Sequence, residues 1–522
     1  MPTIRRLRAL GLAALLLAAS RPATAQDLSA DRKGALDRIS ADSLRGHLSF
    51  LASDLLEGRA TPSRGLDLAA AYIAAQYRRA GLEPIGDDGY FQTANWQVSE
   101  PDAASFNLEL RIAGETYRVA ADAVTLAAPG KLDMQGLSLI KITSADEVAQ
   151  LRADQVEGKA VLIDVPGTRR TSREAKAAAS ARSVIIAGLR AKKAALVVAV
   201  DREGTRGLGL GESRLIDPEG GRVGGFGFRP SGPPSLTIHD PRTIARLDAL
   251  TGPVETNLSI HLGDRVTRPV KLKNVAGLLR GSDAALKDTY ILVTAHYDHL
   301  GIGASINGDT IYNGANDDGS GTVSVVEVAA ALATLKERPK RSVLFVCFFG
   351  EEHGLLGSRY YGKHPLVPVA KTVADVNLEQ VGRTDDTEGP RVAGASLTGF
   401  DYSDVGKVFA AAGEAEGVKV EKHPRNSDTF FGRSDNQALA DLGVPAHTLC
   451  VAFMFADYHA LADHWDKIDY ANMAKIDRVV ARAVLSIADN PEPPKWNADN
   501  PRARRYLKAS EALHAQPAAA AR

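Results

Sequence analysis

The sequence predicts an α/β layered protein with a mixed, largely parallel sheet, divided by a smaller inserted β/α segment. Three observations carry this fold class. From about Val270 to Asn490, apolar strands, Gly-rich turns and helices alternate, as in sheets whose parallel strands are joined by crossover helices. Between about residues 118 and 265 the texture breaks into shorter strands with Gly- and Pro-rich connections. Of the 522 residues, 44% are hydrophobic and 24% charged, which supports large cores rather than a disordered chain. The 63 basic residues balance 63 acidic ones, so net charge gives no reason to expect a nucleic acid partner. Two cysteines exclude a scaffold built on disulfides.

In chain order, Arg5, Arg6 and Arg8 precede an apolar run from Ala9 to Ala19, and Ala23-Thr24-Ala25 follows. This pattern reads as a secretory signal over residues 1–25, too short to span a bilayer. No later stretch reaches about 18 uninterrupted apolar residues. An exported protein, periplasmic or secreted and without stable membrane insertion, is expected. Residues 40–117 open the α/β domain. Leu44, His47, Leu48, Leu51 and Leu55 recur at helical spacing, and so do Leu66, Ala69, Ala70, Ile73 and Tyr77. Glu57-Gly58-Arg59 and Pro62-Ser63-Arg64-Gly65 break the two helices apart.

The insertion, residues 118–265, holds apolar strands at Lys159–Val165 and Ala195–Val200 around a helix from about Ser172 to Lys193. A Gly-rich loop, Gly204–Gly227, and a strand at Pro234–Ile238 follow. Residues 266–490 form the main part of the α/β domain. Strands are expected at Tyr290–Ala295, Arg341–Phe349, Val373–Leu378 and Val444–Val451, with a helix from about Ser320 to Leu335. Cys347 and Cys450 fall inside two of these strands. Both read as buried packing thiols, and export leaves a disulfide between them open. Residues 491–522 read as a loose Pro/Ala-rich tail.

Active residues in such sheets collect at the carboxyl ends of strands. Here the first strand runs into His296-Tyr297-Asp298-His299, the second into Glu351-Glu352-His353, the third into Glu379, and the fourth leads to Tyr458-His459. The carboxylate-rich loop Asn313–Gly321 lies between the first two. Singly, each has a bland reading: Asp317-Asp318 could cap the helix that follows, and Glu351-Glu352 could be a solvated strand end. Their coincidence at strand ends of one region points to a metal site. Nine of the twelve histidines lie between His261 and His464. Imidazole and carboxylate without thiolate suit zinc, or less specifically cobalt or manganese. Five candidates exceed the three ligands of one catalytic zinc and suggest two ions sharing a bridging carboxylate.

The ordered set His296-x-Asp298, Gly314-Ala315-Asn316-Asp317-Asp318-Gly319-Ser320-Gly321, Glu351-Glu352, Asn377-Leu378-Glu379 and Tyr458-His459 resembles the co-catalytic zinc exopeptidases. That family, metallopeptidase family twenty-eight, includes bacterial leucyl and secreted aminopeptidases and glutamate carboxypeptidase. The resemblance covers most of residues 43–95 and 270–485, and the insertion is similar, more weakly, to a protease-associated domain. It implies a three-layer α/β/α catalytic domain and two zinc ions, replaceable by Co2+ or Mn2+. His296 and Glu379 would hold one ion, Glu352 and His459 the other, with Asp317 as the bridge. Asp298 would accept a hydrogen bond from the His296 ring, and Glu351 would be the general base acting on a metal-bridged water. The substrates implied are peptides cut from the N-terminus. A carboxypeptidase or dipeptidase is the same-fold alternative, a glutaminyl cyclase or a non-catalytic binding protein a remoter one. Two departures stand out: Glu379 where the family's peptidases usually carry Asp, and Asn436 where many relatives carry His. His299, His353 and His464 read as surface residues or neighbours of the ligands.

Overall fold

The computed structural model describes residues 28–515 apart from 129, 144, 164–183, 203–208, 212, 224–232, 251–255 and 307. The expected signal at 1–25, most of the helix at Ser172–Lys193, parts of the Gly204–Gly227 loop and the last seven residues lie outside them.

The larger sheet is mixed, with its parallel part at the centre. There Ser342–Phe348, Tyr290–His296, Thr372–Leu378 and Ala446–Cys450 run side by side and parallel. Val266–Leu279 and Phe91–Glu100 extend one side antiparallel, and Gly394–Leu397 closes antiparallel on the other. The central strands are buried on both faces and largely apolar, with Asp375, Asn377 and His447 among the buried polar exceptions. Val343, Phe345 and Cys347 pack into the core beneath helices Ala41–Leu51, Arg64–Ala80, Gly321–Ala333 and Tyr470–Asp489. Leu344, Val346 and Phe348 point the other way, into a core with Leu439, Trp496 and Tyr506. This is a three-layer α/β/α arrangement.

The N-terminal helices start where side-chain caps allow. Ser40 Oγ accepts the Ser43 N–H and Ser63 Oγ the Leu66 N–H, while Gly81 ends the second helix in a left-handed conformation. The first helix stops at Leu51, so Leu55 leaves the apolar face and is exposed.

A second, eight-stranded sheet lies between residues 107 and 262, with its own apolar core around Leu108, Leu162, Val198, Leu236 and Leu258. It takes in Asn107–Ile112 and Glu115–Val119, which the expected boundary at 118 left in the first domain. Pairing with Thr256–Leu262 draws them across. Conversely, Arg214–Asp217 pairs with Phe91–Glu100 and so joins the larger sheet. The described residues beyond Asn490, 491–515, are also not loose. Trp496 donates its indole N–H to Gly443 O, Tyr506 is buried, and Arg504–Ala515 is helical. Apolar residues spaced through the Pro-rich stretch dock it on the sheet's second face. Both cysteines are buried and free.

Candidate metal centre

The parallel register aligns the strand ends at one edge. His296 pairs with Phe348, and Asn377 with Thr448, so the residues that follow each strand emerge together. His296 is the last residue of its strand, Glu351 and Glu352 lie in the turn after Phe348, and Glu379 follows Leu378. Asp317 comes from the tight segment before helix Gly321–Ala333. His459 comes from a loop, at a left-handed φ of 53°.

Asp317 sits at the middle, each oxygen facing a different histidine. Its Oδ1 is 3.4 Å from His296 Nε2 and its Oδ2 is 3.0 Å from His459 Nε2. His459 Nε2 is also 3.2 Å from Glu352 Oε2. Two atoms bound about 2.0–2.1 Å from one tetrahedral ion lie about 3.3 Å apart, so these separations are those of ligands sharing ions. Ligand atoms of His296, Asp317 and Glu379 all lie within 4.8 Å of one another. The His296 Nε2 atom is buried and makes no hydrogen bond. Among the described residues no Lys or Arg pairs with Asp317, Glu351, Glu352 or Glu379; only histidines do. Carboxylates gathered against imidazoles alone suit bound cations, and the donor set fits zinc.

The charge states show the same demand. Burial raises Glu351 well above the usual carboxylate range, and Glu379 and Glu352 add to the shift while His296 opposes it. Burial likewise pushes Glu379 up to about 7. Against burial, His296 and His459 hold Asp317 below its ordinary range, while Asp317 and Glu352 raise His459 to about 10.

The surroundings hold the site in shape. The Asp463 carboxylate accepts the backbone N–H groups of Asn316 and Asp317, and Asn316 Oδ1 accepts those of Gly382 and Arg383. Asp318 Oδ1 accepts the backbone N–H groups of Gly321 and Gln380. Tyr458 stacks on the His459 ring at 4.0 Å between centroids. Asp298 departs from its expected contact. The atom nearest His296 Nδ1 is the Asp298 carbonyl oxygen at 3.3 Å, with the carboxylate at 3.6 Å. Asp298 Oδ1 instead accepts the Glu351 N–H at 3.0 Å, so the carboxylate fixes the turn that carries Glu351.

Two residues escape sequence reasoning. Arg59 is buried and donates to the carbonyls of Leu51, Tyr297, Asn313 and Gly314, tying the N-terminal helices to both ligand loops. Its motif was visible, but a lone arginine carries no sign of burial. His299 is fully buried, with Nδ1 2.8 Å from Glu352 Oε1. Its signal was present, one residue beyond His-x-Asp, but the spacing expected of the ligands passes over it. His353 and His464 remain partly exposed, the latter 3.9 Å from Asp309.

Residues 274–484 match the model of Peptidase family M28. A probable zinc metalloprotease of Pyricularia oryzae is 28% identical over 221 residues, 40% of each protein. A vacuolar membrane protease of Aspergillus niger is 31% identical over 183 residues, 33% of this chain and 16% of that protein. The chain thus spans less than half the length of these curated relatives. Among solved structures, a zinc aminopeptidase from Bacillus subtilis superposes with a TM-score of 0.53 at 19% identity, covering 87% of this chain and 96% of that one. An aminopeptidase from Aneurinibacillus sp. strain AM-1 gives 0.50 at 19% identity, over 89% and 97%. At that identity the likeness carries the fold.

Proposed function

We propose, from a chain whose residues 274–484 match the model of Peptidase family M28, an exported dinuclear zinc exopeptidase acting on peptide N-termini. The observation that carries this reading is Asp317, a single carboxylate whose two oxygens face His296 and His459 separately. Glu379 stands on the His296 side and Glu352 on the His459 side. Two zinc ions, when bound, would supply Lewis acidity toward the scissile carbonyl and toward water. Glu351, with Oε2 4.0 Å from His296 Nε2, takes the proton of the attacking water and returns it to the leaving amine. Asp298 keeps Glu351 in place through the backbone N–H it accepts. The basic and apolar residues before Gln26 support export. No helix among the described residues is long and apolar enough to cross a membrane. The sheet at 107–262 supports a protease-associated role for the insertion, limiting the size of peptide admitted.

A small cleft opens beside Glu379, walled by Phe430 and Phe453. Arg433 lines it and lies over the Phe430 ring, 4.9 Å from the centroid. A guanidinium in that position suits a substrate carboxylate, which favours a carboxypeptidase or dipeptidase as the second reading. Free and N-blocked aminoacyl anilides, with dipeptides and their C-terminal amides, separate the two. Cleavage confined to free N-termini, lost on chelation and restored by zinc, is expected. Equal cleavage of blocked anilides removes the aminopeptidase reading, and preference for free C-termini establishes the second. Activity indifferent to chelation removes the metal.

A further inference from the structure

We propose that His299 is a ligand of the ion on the Glu352 side, so that this ion draws on two imidazoles while the His296 side has one. The inference rests on the dinuclear reading above and adds a ligand outside the five that the sequence pattern supplies.

The position of the ring is fixed by backbone. The His299 N–H donates to Arg59 O at 3.2 Å. Its ring lies so close to Gly314 that a Cβ there would overlap it, and Gly314 holds a left-handed φ of 59°. The loop that delivers Asp317 therefore also clamps His299. Within that clamp, Nδ1 is 2.8 Å from Glu352 Oε1, yet neither atom is aligned for a hydrogen bond, and Nε2 has no partner either. The ring is fully buried. A core histidine kept for packing satisfies its nitrogens; this one does not. A short nitrogen-to-oxygen approach off the hydrogen-bond line is what two lone pairs show when both point at one cation. Ligand atoms of His299, Asp317 and Glu352 all lie within 4.8 Å of one another. His459 reaches the same two carboxylates from a separate loop, its ring 5.7 Å from that of His299 and inclined by 72°.

The two ions are then unequal. His296, Asp317 and Glu379 give the first ion three protein ligands, the number that leaves a catalytic zinc an open position. His299, His459, Glu352 and Asp317 give the second ion four, so it is the later to leave under chelation.

Zinc-edge absorption fine structure on the full chain loaded with two zinc ions counts imidazoles directly. Three imidazoles shared by two ions are expected, falling to two in His299→Gln. Competition with a zinc indicator should show the tighter site of His299→Gln weakened more than about 100-fold, beyond the 10–100-fold cost of losing a group that only orients a ligand. A count of two in the wild-type protein, unchanged in the variant while both ions stay bound, overturns the inference and leaves the dinuclear reading standing. Failure of the wild-type protein to bind zinc overturns both. Because His299 is buried, the variant's fold is checked by circular dichroism, and the wild-type count decides the matter if it does not fold.

Discussion

Both sheets present the same residue types at the same topological edge, and only one edge is a site. In the larger sheet the parallel strands run out at His296, Glu351 with Glu352, and Glu379. In the smaller sheet the parallel strands Leu196–Val200 and Ser235–Ile238 run out at Asp201, His239 and Asp240. The latter set is consumed by the fold. His239 lies 3.5 Å from Asp201 and 2.9 Å from Thr125, and Asp240 caps helix Pro241–Asp248 by accepting from Thr243. In the larger sheet, ligand atoms of His296, Asp317 and Glu379, and again of His299, Asp317 and Glu352, lie within 4.8 Å of one another, whereas His239 faces a single carboxylate. Residue type and strand-end position therefore do not make a site. Convergence of several donors on one point does.

The sharpest break of the comparison is Glu351→Gln. Loss of the base should lower kcat by about three orders of magnitude, within the usual 10²–10⁴-fold range, with zinc content unchanged by elemental analysis. Near-normal turnover would remove Glu351 from the chemistry. In the smaller sheet, Leu258→Ala empties a fully buried position between two paired strands and should cost about 2–5 kcal/mol of stability. Thermal unfolding measures that loss, while kcat on a small anilide at 25 °C should stay within about twofold, because the smaller sheet contributes no reacting group. A matching collapse of kcat would show that the two sheets are not independent in function. Between these lies Asp463→Ala, which removes the acceptor of the Asn316 and Asp317 N–H groups and should weaken zinc binding about 10–100-fold. Unchanged affinity by competition with an indicator would mean that the loop holds its shape without that carboxylate.

Much of the larger sheet was legible because burial on both faces forces continuous apolar strands, and these end abruptly at polar residues. Ser342–Phe348 and Thr372–Leu378 fall within one residue of their expected limits at most ends for that reason. Asp317 could be preferred over Asp318 only through the resemblance. The structure gives the physical ground, since Asp317 faces both His296 and His459 while Asp318 Oδ1 is taken by two backbone N–H groups. What stayed hidden depends on long-range closure. The pairing of Asn107–Ile112 with Thr256–Leu262 joins segments far apart in the chain, and no local signal announces it. The docking of Trp496 and Tyr506 was masked by the prolines around them. His299 differs again: the role proposed for it depends on Gly314 and Arg59, each brought in from another part of the chain.

The smallest expected effect concerns a histidine that the larger sheet buries without a metal or a carboxylate. His447 lies in the Ala446–Cys450 strand, its Nδ1–H donating to Thr398 O at 2.8 Å and its Nε2 accepting from Ser403 Oγ at 2.6 Å. Burial lowers its pKa to about 4, from 6.5. The unfolded chain therefore takes up a proton near pH 6.5 that the folded chain refuses until about pH 4. Stability from this residue is full above 6.5 and declines as the pH falls through that window. Between pH 7 and 5.5 the loss amounts to about 1 kcal/mol. The ligand carboxylates and histidines also titrate in acid, so the wild-type curve alone does not isolate it. The difference between wild type and His447→Gln does, because every other group is common to both. Urea unfolding at the two pH values should show the variant losing about 1 kcal/mol less than the wild type. Equal losses would mean that His447 accepts a proton in the folded sheet. The contrast between buried groups satisfied by the fold and those left for a cation would then need another boundary than hydrogen bonding.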